Sequence, residues 1–163
     1  MSDTEKKQKN TIDSVRVKVK YLHPLLEKHP PARSTQDAAG IDLRACMDKD
    51  EIILEPGERY AFPTGLAIEI TTPAIAGFVF SRSGLGTREG LTVSQGVGVI
   101  DPDYRGQIMV SLLNASRETR RVKQGQRIAQ LVFMPIRRAE IVPVPELAQT
   151  LRGQGGFGHT GKL

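Results

Sequence analysis

Ser14-Val15-Arg16-Val17-Lys18-Val19-Lys20-Tyr21 alternates apolar and polar residues without a break. Val15, Val17 and Val19 fall on one side, and Arg16, Lys18 and Lys20 on the other. That period of two is what a half-buried strand imposes. Short apolar runs recur along the chain at Ile52–Leu54, Leu66–Ile70, Gly77–Phe80, Gln107–Leu113 and Arg127–Ile136. Glu55-Pro56-Gly57-Glu58 is a turn signal after the first of these. Ile141–Val144 reads as a weaker strand that Pro143 confines to an edge. Many short strands at regular spacing, separated by turn residues, predict an all-β sandwich or barrel. Helix is scarce: one or two turns over Pro145–Leu151, and one over Gly84–Arg88. No internal repeat and no domain boundary is visible.

The chain has 163 residues, enough for one domain with its own core. Cys46 is the only cysteine, which excludes an intrachain disulfide and a Cys-based zinc site and fits a reducing, cytoplasmic setting. No apolar run reaches transmembrane length, and Met1–Asn10 is polar, so no membrane partner is expected. The formal charge is +5. The basic residues are scattered and not interleaved with aromatics, so a small polyanion explains the charge better than nucleic acid does.

Several segments carry chemistry. Ser81-Arg82-Ser83-Gly84-Leu85-Gly86 follows an apolar strand and opens a helical turn, an arrangement that offers backbone N–H groups to an anion. Taken alone it is equally an ordinary surface turn. Gly98-Val99-Ile100-Asp101-Pro102-Asp103-Tyr104-Arg105-Gly106-Gln107 reads as a hairpin with two carboxylates and a Tyr at its tip. One carboxylate there could take a proton from water, or both could simply cap the turn. Asp42 lies between Ile41 and Leu43, and Gln130 within Arg127–Phe133; each is a polar residue in an apolar strand, either exposed or in need of a partner. The three histidines lie far apart and show no metal-ligand spacing. The end of the chain, Arg152-Gly-Gln-Gly-Gly-Phe157-Gly-His159-Thr160, is too glycine-rich to be core. It sets a ring and a cation among phosphate-ready amides, as a lid over a nucleotide would, or as a frayed terminus would.

In order, AGIDLRA, SRSGLG, GVIDPDYRGQ, GQRIAQ and RGQGGFGHTG resemble the five motifs of the trimeric dUTPases, and the resemblance runs from about Val15 to Gly161. It implies an all-β distorted jelly roll of the β-clip type, with a flexible tail over residues 1–12, a barrel over 13–145 and a mobile C-terminal arm over 146–163. It implies a homotrimer whose active sites are shared between chains, and Mg²⁺-assisted hydrolysis of dUTP to dUMP and pyrophosphate. Asp101 matches the general base that activates the attacking water. Gln130 matches the residue that holds that water or the neighbouring phosphate. Asp42 matches a position tied to the metal's water shell, so no residue binds Mg²⁺ directly. Arg82, Ser83 and Gly84 match the phosphate turn. Gln95, Gly98, Val99 and Ile100 fall in the segment that reads uracil with backbone groups. Tyr104 matches the residue packed under the deoxyribose. Arg152, Phe157, Gly158, His159 and Thr160 match the arm that grips the terminal phosphate and stacks on the base.

Three positions depart from the family pattern: Ser81 stands where Pro is frequent, Gln95 where some relatives have Asn, and His159 where Ser is common. The rival readings are a dCTP deaminase, which shares the fold but needs a catalytic Glu, and a non-catalytic regulator on the same scaffold. The Ile100–Tyr104 turn and the Phe157 arm favour dUTP hydrolysis over the deaminase, and the intact Asp101 argues against the regulator.

Overall fold

A computed structural model describes residues 14–156. Ten strands and two short helical turns follow one another in these residues. One sheet has the order β1 (Val17–Tyr21), β4 (Arg59–Ile70), β8 (Gln107–Asn114) and β6 (Leu91–Val93). A second has the order β2 (Ile41–Arg44), β10 (Arg127–Pro135), β5 (Ile75–Ser81) and β7 (Gly98–Ile100). β3 (Glu51–Leu54) and β9 (Arg120–Lys123) form a separate two-stranded ribbon. All paired strands are antiparallel, which agrees with the all-β reading. Among the described residues helix is confined to α1 (Leu25–Lys28) and a π-type turn over Leu85–Glu89 with the two residues that lead into it.

The core is a single cluster contributed by both sheets. Phe62, Leu66 and Ile68 on β4 and Ile108, Val110 and Leu112 on β8 bury their side chains with Leu43, Val79, Ile128 and Leu131 of the second sheet. β8 shows the alternation that a one-face-buried strand requires, with Ile108, Val110 and Leu112 inside and Met109 out. β4 does not alternate, because residues 64–68 are all buried. Its register against β8 shifts between Pro63 and Ala67, and past that bulge it pairs fully with β1. Pro63 and Gly65 fall in the bulge, where a missing N–H and a positive φ are tolerated. Thr64, buried there, donates its hydroxyl to Ile108 O at 2.7 Å.

Three local expectations are corrected. Residues 98–107 are not a hairpin: β7 pairs with β5 in one sheet and β8 with β4 and β6 in the other, so the Asp101–Tyr104 turn crosses between sheets. The turn before it crosses between sheets too, since β6 and β7 belong to different ones. Ile141–Val144 forms no strand, and Pro145–Leu151 forms no helix. Ile141, Val142, Val144, Leu147 and Leu151 are all exposed, so among the described residues nothing buries the apolar face that would stabilise either element. Among the described residues the last strand ends at Pro135.

Candidate active site

The strand register brings three of the predicted residues together. Gln130 on β10 lies opposite Asp42 on β2 and opposite Phe80 on β5, one residue before Ser81 and two before Arg82. Asp42 is the hub. Its Oδ1 sits 3.0 Å from Arg82 Nε, and its Oδ2 sits 2.9 Å from Arg127 Nη1. Ser34 donates its hydroxyl to Oδ2 at 2.9 Å. Only 13% of the Asp42 side chain is exposed. Burial by itself would raise the Asp42 pKa. The hydrogen bonds from Ser34 and Arg127, with the positive charges of Arg82 and Arg127, outweigh burial and hold the carboxyl below its ordinary value. The Gln130 side chain donates Nε2 to Ser81 O at 3.2 Å, which satisfies a half-buried amide.

Arg82 is held at a second point, where its Nη1 donates to Arg127 O at 3.2 Å. The next residues turn into the π-type helix. Its first bond is Gly86 N to Arg82 O at 2.9 Å, so the N–H groups of Ser83 and Gly84 come before any acceptor in the turn. Ser83 and Gly84 are exposed, and a Cβ at Gly84 would meet nothing within 4 Å. This is an anion-ready turn with an oriented guanidinium beside it. Ser81 ties it to the following segment, since Val93 N donates to Ser81 Oγ at 2.8 Å. A Pro at this position has no hydroxyl to accept that bond.

The other predicted group leaves from the far end of β5. Gly77 pairs with Ile100, Phe78 with Val99 and Val79 with Gly98, so Ile100 lies four strand steps from Ser81, roughly 13 Å along β5, and Asp101 leaves one residue beyond it. Asp101 is exposed, and its carbonyl accepts Tyr104 N at 3.1 Å, which closes the turn. Tyr104 is 44% exposed and donates its hydroxyl to Gln107 O at 3.0 Å. The ring lies across Gly106: a Cβ there would come 2.6 Å from Tyr104 Cζ and also collide with its hydroxyl. The preceding turn is closed by Gly96 N donating to Val93 O at 3.0 Å, with Gly96 at φ 81°. Gln95 is exposed there and accepts from Ser94 Oγ at 3.0 Å, while Gly98 packs against Val79. Val99 is exposed and Ile100 buried.

In the arm, Arg152 is exposed and donates Nε to Gly155 O at 2.9 Å. Phe157, Gly158, His159 and Thr160 lie outside the described residues. Thus Asp42, Gln130, Arg82, Ser83 and Gly84 form one group, and Asp101, Tyr104, Gln95, Gly98, Val99 and Ile100 another. Sequence reasoning misses Arg127 and Ser34. Arg127 stands in the same GQRIAQ stretch as Gln130, but simple alternation puts residues 127 and 130 on opposite faces. A register shift between Arg127 and Ala129 turns Arg127 towards Asp42 as well.

An oriented guanidinium beside an exposed N–H turn, on a jelly-roll-like β body, makes this an all-β protein with a turn suited to an anion. The chain belongs to the dUTPase family, whose model matches residues 27–161. It is 46% identical over 147 residues to a deoxyuridine 5'-triphosphate nucleotidohydrolase of Azoarcus sp. (strain BH72), covering 90% of this chain and 98% of the relative. It is 47% identical over 150 residues to the enzyme of the same name from Acinetobacter baumannii, covering 91% of this chain and 99% of the relative. Its fold is similar to that of a Staphylococcus bacteriophage 80alpha dUTPase solved with dUpNHpp, with a TM-score of 0.77 and 27% identity, covering 90% of this chain and 98% of the phage protein.

Proposed function

We propose that this chain hydrolyses dUTP to dUMP and pyrophosphate, in a homotrimer whose active sites combine residues of different chains. The carrying observation is a split within one chain: Asp42, Gln130 and Arg82 gather at one end of β5, and Asp101 leaves from the other. The phosphate group and the base group of one chain then serve two different sites. Family membership and relatives named for this reaction support the chemistry.

In this reading Asp101 accepts a proton from the water that attacks the α-phosphorus, and the phosphorus–oxygen bond to the leaving pyrophosphate breaks. Gln130 holds that water or the adjacent phosphate. Arg82 and the N–H groups of Ser83 and Gly84 carry the negative phosphate oxygens, where fixed donors in place before the reaction do most of the work. Tyr104 packs under the sugar and leaves no space for a 2′-hydroxyl. The backbone of Gln95 and Gly98–Ile100 meets the uracil edge. Arg152 and the ring of Phe157 close over the nucleotide, with Gly158, His159 and Thr160 on the phosphates.

The donor set suits a magnesium ion carried mainly by the substrate. Among the described residues no group of three His, Cys, Asp or Glu side chains converges to hold one. Asp42 has about four acceptor positions as a carboxylate. Arg82, Arg127 and Ser34 take three of them, leaving one for a metal-bound water. When bound, the ion neutralises charge on the triphosphate oxygens. We place the activity in the cytoplasm, in keeping with a single, buried thiol at Cys46.

The test is complementation. Asp101→Asn and Arg82→Ala chains, each strongly impaired alone, are mixed, unfolded and refolded together. Shared sites restore dUTP hydrolysis in mixed trimers. A mixture as impaired as its parts excludes a site built from different chains.

A further inference from the structure

Arg127 carries more of the Asp42–Arg82 arrangement than its place at the first position of β10 suggests. Its Nη1 lies 2.9 Å from Asp42 Oδ2 and donates to Ser34 Oγ at 3.5 Å. Its carbonyl accepts Arg82 Nη1 at 3.2 Å. Both groups that grip Arg82 therefore involve Arg127: Asp42 through its other oxygen, and the Arg127 backbone directly. A guanidinium has five N–H donors. With Nε and one Nη1 hydrogen of Arg82 committed, three remain for an anion.

We infer that Arg127 is a positioning residue for the triphosphate: it anchors Asp42 on one oxygen so that the other fixes Arg82 in a single orientation towards phosphate. The inference rests on the reading of Arg82 as a phosphate ligand. Two features of the geometry favour it. The side chains grow more exposed outward from the carboxylate, from 13% at Asp42 to 28% at Arg82 and 43% at Arg127, so Asp42 is the fixed centre and the arginines its rim. The bulge between Arg127 and Ala129 is what aims Arg127 at that centre, and bulges near functional groups commonly re-aim a side chain. Without the Arg127 guanidinium, Asp42 Oδ2 keeps only the Ser34 hydroxyl. The carboxylate is then free to rotate and take Arg82 bidentately, which consumes the donors that a phosphate needs.

Arg127→Gln and Arg127→Lys are made in the full chain, alone and together with Arg82→Ala. Each is assayed for kcat and KM with dUTP and for affinity towards the non-hydrolysable analogue dUpNHpp by calorimetry. Arg127→Gln is expected to raise KM and weaken analogue binding about ten- to a hundredfold, the range for losing one charge-assisted hydrogen bond. Because the role is in binding, kcat falls by no more than about threefold. Arg127→Lys recovers part of the loss, since lysine supplies the charge without the fork. In the Arg82→Ala background the Arg127→Gln change adds less than about twofold, because both act through one group. An unchanged KM in Arg127→Gln, or full additivity with Arg82→Ala, overturns the inference. Should Arg127→Gln fail to fold, Arg127→Lys decides alone: a KM raised only while Arg82 is present supports positioning, and an unchanged KM overturns it. A parent chain inert towards dUTP overturns the hydrolase reading itself, which keeps the two failures distinct.

Discussion

Replacing Gly106 by alanine moves Tyr104 without altering a single atom of the tyrosine. The new methyl carbon would stand 2.6 Å from Tyr104 Cζ and 3.0 Å from Cε2, and it would collide with the hydroxyl. Carbon atoms in contact sit about 3.5–4.0 Å apart, so the ring must retreat by about 1 Å. Retreat breaks the 3.0 Å bond from the Tyr104 hydroxyl to Gln107 O. One neutral hydrogen bond contributes about 0.5–1.5 kcal/mol, so the fold survives with a slightly lower Tm. The larger effect is expected where Tyr104 is proposed to pack, under the sugar. A wall that rejects one small group discriminates by roughly 10–200-fold, and opening it by this distance should forfeit most of that. The assay is kcat/KM for dUTP and for UTP, followed by pyrophosphate release. The dUTP preference should fall by at least about tenfold in Gly106→Ala, mainly because UTP is accepted better. A preference equal to that of the parent chain would show that Tyr104 does not guard the 2′ position.

Three further outcomes are expected. Asp101→Asn should lower turnover about 10²–10⁴-fold with dUpNHpp binding kept, and an unchanged kcat would remove Asp101 from proton transfer. Asp42 is held ionised below its ordinary range, so its contribution to stability is complete above the unfolded value of about 3.9 and is lost as pH falls through the lower folded value. Urea midpoints taken from about pH 6 downward should therefore drop more steeply for the parent than for Asp42→Asn, and parallel curves would contradict the pairing. Deleting Arg152–Leu163 should abolish most hydrolysis and leave the far-UV spectrum unchanged, because the last described strand ends at Pro135; a fully active truncated chain would remove the arm from the mechanism.

Strands with clean alternation are legible in the amino-acid sequence alone. Gln107–Asn114 buries one face, and its sequence says so. Val17–Tyr21 is a strand, as its alternation says, but the half-buried face expected of it is not there, since Val17 is only half-buried and Val19 and Tyr21 are exposed. β4 is half legible: Leu66–Ile70 stands out, but Pro63 and Gly65 conceal the first half, because residues that break most strands here occupy a bulge. The Asp101 turn reads as a hairpin because consecutive strands usually pair, and sequence does not reveal that β7 and β8 enter different sheets. Ile141–Val144 has a strand's composition but pairs with no neighbour among the described residues. The site residues stand out through the order of five motifs, not through any one segment. What no motif spells out is the link among them: Arg127 and Ser34 join the site only through the bulge in β10 and the buried carboxylate of Asp42.

Selective hydrolysis of one nucleotide is checked most directly by pyrophosphate release measured in parallel with dUTP, dTTP, dCTP and UTP. Rapid release is expected from dUTP, little from the other three, and no ammonia from dCTP. Equal cleavage of dTTP or UTP, or ammonia release from dCTP, would contradict that selectivity.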